Sequence, residues 1–261
     1  SDNYLFEILP RKEILDPLML LYFENFETTF RILHQPSFWD EYNKFWQDLE
    51  TGSPGFVAIL LLLASMVSCL SSREQPKYVG AFSPRENWVS WIEACDLWLN
   101  LQSQKHLNLA NFQIRCLILL SKQMIMVKEK QAWTSATSLL SFSISAGLHR
   151  DPSLLSGRIS IFDQEMRRRL WGTIVEIEIQ ASIDRGVRPF STDLPFDCPP
   201  PSNLDDVEFS ITSEQLPKEE SSISFTGTPF LSNLHRSRSY RTALISIINN
   251  PMSDLQYEEV L

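Results

Sequence analysis

The chain has 261 residues, 43% hydrophobic and 11% aromatic, which is enough apolar material for a large buried core and too much for a disordered chain. Its formal net charge of -9 argues against a nucleic-acid footprint on this stretch, because phosphate binding needs a basic surface that displaces counterions. Only 8 glycines favour helices over strands and hairpins, and four cysteines without close spacing suggest neither a metal knuckle nor a dense disulfide framework.

In chain order, Asp16 followed by Pro17 reads as an N-cap with proline at the first helical position, placing Leu18, Leu21, Tyr22, Phe26 and Phe30 on one face. Ser37 with Asp40 resembles a capping box, and Phe38, Tyr42, Phe45, Trp46 and Leu49 continue an aromatic stripe after a turn at Gln35-Pro36. The uncharged stretch 51–72 leaves an apolar run only over 56–70, which is too short for a bilayer and fits a fully buried core helix. Ser83, Pro84 and Glu86 signal another helix start, after which Trp88, Trp91, Ile92, Cys95, Trp98 and Leu99 mark a buried face.

Residues 109–127 and 133–148 read as a helical pair, the second rich in Ser and Ala and ended by Gly147. Beyond Gly186, five prolines between Pro189 and Pro201 forbid a regular helix and predict an extended segment laid over the body. From Asp205 to Thr228 acidic, Ser and Thr residues predict a mobile surface loop. Thr228-Pro229 starts a last helix carrying Leu231, Leu234, Leu244, Ile245 and Ile248, stopped by Pro251, with Arg236, Arg238 and Arg241 expected to face water. No fixed repeat is present, and both ends read as cut from a longer protein.

The blocks at 149–152 (HRDP), 165–171 (EMRRRLW), 184–186 (DRG) and 196–206 (FDCPPPSNLDD), in this order and spacing, resemble the middle homology region of fungal zinc-cluster transcription factors. A second block, FETTFRILHQPSFWDEY at 26–42, is similar to that family's opening signature. The resemblance covers most of the chain. It implies a nuclear regulatory domain that performs no chemistry and controls RNA polymerase II transcription through an attached DNA-binding module. It also implies that zinc, held by six cysteines bridging two ions, belongs to that module, since these four cysteines do not match it.

The expected architecture is all-α: an irregular multi-helix bundle with paired antiparallel helices, a proline-rich extended segment and a disordered loop. The domain divides as 1–209 for the regulatory body, 210–228 for a flexible loop, and 229–261 for a truncated C-terminal helix of the same domain. Expected partners are other segments of the same transcription factor, with co-regulators, a small-molecule effector and a homodimer left open, and with no membrane and no direct nucleic-acid contact by this fragment.

Among the signature residues, Met166, Leu170, Ile174, Ile177 and Ala181 share one helical stripe, and Asp184 lies five turns after Met166 on the same line. Asp184 is therefore expected to be buried and paired, with Arg150 as first candidate partner. Of Arg167, Arg168 and Arg169, at least one is expected half-buried as an internal strut, because Trp171, Val175 and Ile179 widen the apolar surface. Glu165, Arg185 and Gly186 complete the signature, and Asp151 with Pro152 is expected to turn the chain beside a packed His149. A kinase-like reading of His149-Arg150-Asp151 fails at Ser156, where an asparagine is required.

His34, with no metal-spaced partner, is expected to bond to backbone in a turn. Trp88, Trp91, Trp98 and Trp133 are the candidates for an effector pocket, against the plainer reading that they pack the core. Two rivals stand beside the regulatory reading. One is a stand-alone helical interaction scaffold; the other is an enzyme using Asp184 and Glu178 as paired carboxylates.

Overall fold

The computed structural model describes residues 2–70, 85–103, 108–127, 129–155, 157–217, 229–250 and 252. Among the described residues the chain forms nine α-helices and no strand: α1 (Asp2–Glu7), α2 (Lys12–Asn25), α3 (Gln35–Gln47), α4 (Pro54–Val67), α5 (Arg85–Leu101), α6 (Leu109–Met124), α7 (Ala132–Ser145), α8 (Ile161–Arg185) and α9 (Pro229–Ile248). The expected all-α class is what the structure has.

Helix α4 is the axis of the core. Ser53 caps it by accepting the Phe56 N–H at 3.1 Å, Pro54 sits in its first turn, and every residue from Phe56 to Val67 is buried. Helices α1, α2, α5 and α6 surround it. A residue buried on all sides has no polar face to offer, which is why this run shows no amphipathic period. No helix among the described residues is long and apolar enough to cross a membrane. On the far side of α6 lie α7 and α8, and α9 closes the stack by packing on α8, where Leu231 sits against Gly172.

Small polar side chains tie this core across helices. Ser121 on α6 donates to the Leu62 carbonyl at 3.1 Å, and the Cys95 thiol on α5 faces the Ala58 carbonyl at 3.7 Å. Both α7 and α8 end on a left-handed glycine, Gly147 at φ 76° and Gly186 at φ 70°. In each, the next residue's N–H returns to a carbonyl five positions back, Leu148 to Ser143 and Val187 to Ser182, both at 3.0 Å.

Several local expectations are corrected. Helix α2 starts at Lys12, so Pro17 lies inside it and Asp16 is no N-cap; Asp16 instead accepts from Lys12 at 2.7 Å and from the Tyr42 hydroxyl at 2.8 Å. The hydrogen bond that proline removes would have gone to the carbonyl of Glu13, an exposed residue. Helix α3 is capped by His34 rather than Ser37, and Gln35-Pro36 belongs to its first turn rather than to the connection. The start signal at Ser83-Pro84, the helix signals at Thr228 and Pro251, and residues 218–228 of the proposed loop lie outside the described residues.

The segment after Gly186 is not uniformly extended. Phe190–Asp193 makes one 3-10 turn, after which residues 194–205 run without regular structure over the body, and Asp206–Glu208 forms another 3-10 turn. Residues 201–204 are buried, as are Asp206 and Phe209. Asp205 to Phe209 is therefore an anchored strap, where a mobile loop was expected. Here Asp205, Asp206 and Glu208 accept from protein donors, whereas residues 210–217 are mostly exposed.

Candidate functional site

The strap is fastened to the α2–α3 connection, the first residue of α3 and the first half of α8. Asp206, 7% exposed, accepts through Oδ1 from Arg31 and from Arg169 Nη1 at 2.5 Å, and through Oδ2 from the Gln35 N–H at 2.8 Å. Its carbonyl accepts from His34 Nε2 at 2.7 Å. Because a carbonyl can only accept, that nitrogen carries the proton, leaving Nδ1 free to accept from the Ser37 N–H at 3.3 Å and cap α3. His34 is thus bonded to backbone, as expected, and burial lowers its pKa and keeps it neutral.

Around this contact the acids and bases are arranged in series. Burial alone would raise the Asp206 carboxyl, but the adjacent Arg169 and Arg31 outweigh it and hold the group below the usual carboxylate range. Glu27, 2% exposed, accepts from the Tyr22 hydroxyl at 2.6 Å and from the Leu33 N–H at 2.8 Å. Its burial raises the carboxyl to about 8, in spite of nearby Arg31, so it is protonated at neutral pH. Glu165, fully buried, accepts from Arg169 Nε and Arg168 Nη1, each at 3.3 Å, and from the Ser202 N–H at 3.1 Å; burial raises its pKa as well. Arg169 further donates to the Leu204 carbonyl at 3.4 Å and lies 4.8 Å from the Phe209 ring centre.

All three consecutive arginines are at least partly covered, where at least one is expected to be. Arg169 is 0% exposed, and Arg167 donates to the Gly147 carbonyl at 3.3 Å, satisfying the end of α7. Trp171 is fully buried, with Phe196 edge-on at 5.3 Å and His149 at 6.2 Å. His149 is half-buried and its carbonyl receives the N–H groups of Asp197 at 3.2 Å and Cys198 at 3.1 Å. Asp151 turns the chain, its Oδ1 accepting the Ser153 N–H at 2.9 Å.

Asp184 is not the buried acid. It is exposed, one turn past the point where α8 loses its covering neighbours, and it accepts from Gln180 Nε2 at 2.8 Å. Periodicity assigned it the right side of the helix but carries no information on how far the neighbours extend. Arg150 pairs elsewhere, with Asp197 in a two-pronged contact at 2.9 and 3.0 Å on the surface. The acid that α8 does bury near its end is Glu178, which accepts the N–H groups of Phe190 at 2.7 Å and Ser191 at 3.2 Å and so pins the start of the proline-rich segment. Glu178 and Asp184 therefore do not form a carboxylate pair. Asp184→Ala is expected to change folding stability by less than about 0.5 kcal/mol, as for other exposed positions, which chemical denaturation reads directly.

Two arginines expected in water are also engaged. Arg238 donates to the Ser191 carbonyl at 2.9 Å and covers the Phe196 ring at 4.1 Å, while Arg241 grips both Glu176 oxygens; Arg236 alone of the three is exposed. Nor are the four tryptophans gathered. Trp91 is buried core, Trp98 donates to Asp2 at 2.7 Å, Trp88 is half-buried on α5, and only Trp133 lines a sizeable cavity. The residues missed from sequence are Tyr22, Glu27, Arg31 and Asp206. The visible signal was Glu27 and Arg31 set among Phe26, Phe30, Ile32 and Leu33, since charges inside so apolar a turn need partners.

Among the described residues no group of three or more His, Cys, Asp or Glu is placed to hold a metal ion. Cys95, Cys116 and Cys198 are buried, and burial pushes their thiols up, Cys198 to about 12, away from the thiolate a metal requires. These residues do not fit a zinc cluster.

Residues 19–256 match the family model described as fungal specific transcription factor domain. The chain is 34% identical over 256 residues to transcription factor opdR of Penicillium oxalicum, covering 97% of this chain and 31% of that protein. It is 33% identical over 256 residues to transcription factor lepE of Aspergillus flavus, covering 97% of this chain and 30% of the relative. It is 27% identical over 253 residues to the fusarisetin A cluster transcription factor fsa6 of a Fusarium species, covering 88% of this chain and 31% of the relative. The chain thus spans about a third of the length of the curated relatives it matches. No solved structure matches it.

Proposed function

From the premise that this chain belongs to the family of fungal specific transcription factor domains, we propose that it is the helical regulatory body of a longer nuclear transcription factor. It acts on RNA polymerase II transcription through an attached DNA-binding module, and performs no catalysis itself. In this reading zinc and DNA contact belong to that module, and the body's partners are other segments of the same protein, with co-regulators or a second copy as further candidates. The chain's net charge of -9 fits this division, because it repels phosphate.

The single observation that carries the reading beyond family membership is how the signature residues are used. Blocks lying far apart in sequence converge on buried Arg169, Arg31 and Asp206, whose charges are consumed by one another, so these three hold a strap in place. A body whose distant parts are latched in this way can exist latched or unlatched, which is what control of a neighbouring module requires. Gel-shift titrations test it: the 261-residue chain is expected to leave DNA unretarded at low salt, while the full-length protein retards its target. Salt-dependent binding by the isolated chain, or a full-length protein without a six-cysteine module, would overturn the proposal.

A further inference from the structure

A cavity of about 580 Å³ opens where the connection between α6 and α7 meets the end of α8. That volume is within the range of about 300–1,000 Å³ typical of small-molecule sites. Its lining is mixed, with Phe30, Met124, Val127 and Trp133 forming the apolar part, Gln123, Gln131, Ser135 and Gln180 neutral polar groups, and three cations, Lys122, Lys130 and Arg185, against one acid, Asp184. A positive rim is unexpected on a chain of net charge -9.

The polar groups here are unequally used. Lys122 donates to Asp96, and Asp184 accepts from Gln180, so these two are engaged. Lys130 and Arg185 are exposed and meet no acid among the described residues. The Trp133 indole N–H is shielded from solvent and has no acceptor among the described residues.

We propose that this cavity binds a small apolar molecule bearing a carboxylate, its hydrocarbon part against Phe30, Met124, Val127 and Trp133 and its charge between Lys130 and Arg185. An apolar alcohol would fill the same volume but leave the two cations unneutralised. A cation would meet like charge at the rim. The backbone supports a preformed mouth: Met126, at φ 54° and 71% exposed, turns the chain sharply at the cavity edge, and Gly186 does the same after Arg185.

The proposal goes beyond the transcriptional reading and is tested without DNA, so the two fail separately. Decanoate serves as the probe and 1-decanol as its neutral counterpart, each titrated into the chain labelled with ¹⁵N and followed through the Trp133 indole resonance, which W133F identifies. Decanoate is expected to move that resonance saturably and to bind at least tenfold more tightly than decanol. The double variant K130Q/R185Q, altered only at exposed positions, is expected to keep the melting temperature of the ligand-free chain and to reduce decanoate affinity at least tenfold. The proposal is overturned if the Trp133 resonance does not move with decanoate, if decanol binds equally well, or if the double variant binds decanoate like the parent.

Discussion

Replacing Asp206 with alanine is expected to destabilise the domain by about 3–5 kcal/mol, the cost of leaving buried cations without their anion. Arg31 and Arg169 both point at this carboxylate and are 7% and 0% exposed in their side chains, so neither regains water when it is lost. The same change removes the acceptor for the Gln35 N–H at the start of α3. Asp206→Asn keeps an oxygen for that N–H but not the charge, and its loss should fall between the alanine variant and the parent. Chemical denaturation with a matched thermal scan reads both, with roughly a 10 °C fall in melting temperature for the alanine variant at about 2–4 °C per kcal/mol. A loss below about 0.5 kcal/mol for Asp206→Ala would show that the arginines are satisfied by other groups, and the latch would be refuted.

Between pH 6.5 and 8 Glu27 is expected to withdraw about 1.6 kcal/mol of stability, the opposite of the usual behaviour of a buried acid network. Glu27 is the cause. Its carboxyl stands near 4.5 in the unfolded chain and is raised by burial to about 8 in the folded one. Between these values the folded state holds a proton that the unfolded state lacks, so each pH unit removes up to about 1.4 kcal/mol until the folded group ionises. Asp206 works in the other sense, contributing stability above its unfolded value and losing it in acid. His34 and His235, both lowered by burial, also oppose Glu27: half of each unfolded imidazole is still charged at 6.5, so each returns up to about 0.4 kcal/mol as the pH rises to 8. Glu165, which burial also raises, acts in the same sense as Glu27, so the part due to Glu27 is read as the difference between the parent and a Glu27 variant. Glu27→Gln preserves size and an oxygen for the Leu33 N–H, and across that interval the parent should lose about 1.6 kcal/mol more than this variant; an equal slope in the two would assign the effect to another group.

The helices were legible because their evidence is local. Glycine shortage, capping residues and 3.6-residue periodicity act over one or two turns, and α4, α6 and α7 were readable within a few residues. Depth was not legible. Asp184 and Glu178 sit on the same helix, and which one is covered depends on where Phe190 and Ser191 return to it, a tertiary fact without a local signature. The partner of Arg31 lies 175 residues away, in a stretch whose polar composition resembles a solvated loop. Pro17 shows the reverse error, where a strong local signal yielded to a helix that had already begun at Lys12.

That separation of 175 residues also sets an order of events during synthesis. A ribosome adding about 5–20 residues per second exposes Arg31 roughly ten to thirty-five seconds before the acid that neutralises it. Through that interval the earliest helices have emerged with an uncompensated cation at their junction, and its neutralisation waits on the strap that follows α8. Translation stalled before the strap would leave a sticky, unfinished product, so this transcript places an unusual demand on chaperones that hold chains until they are whole.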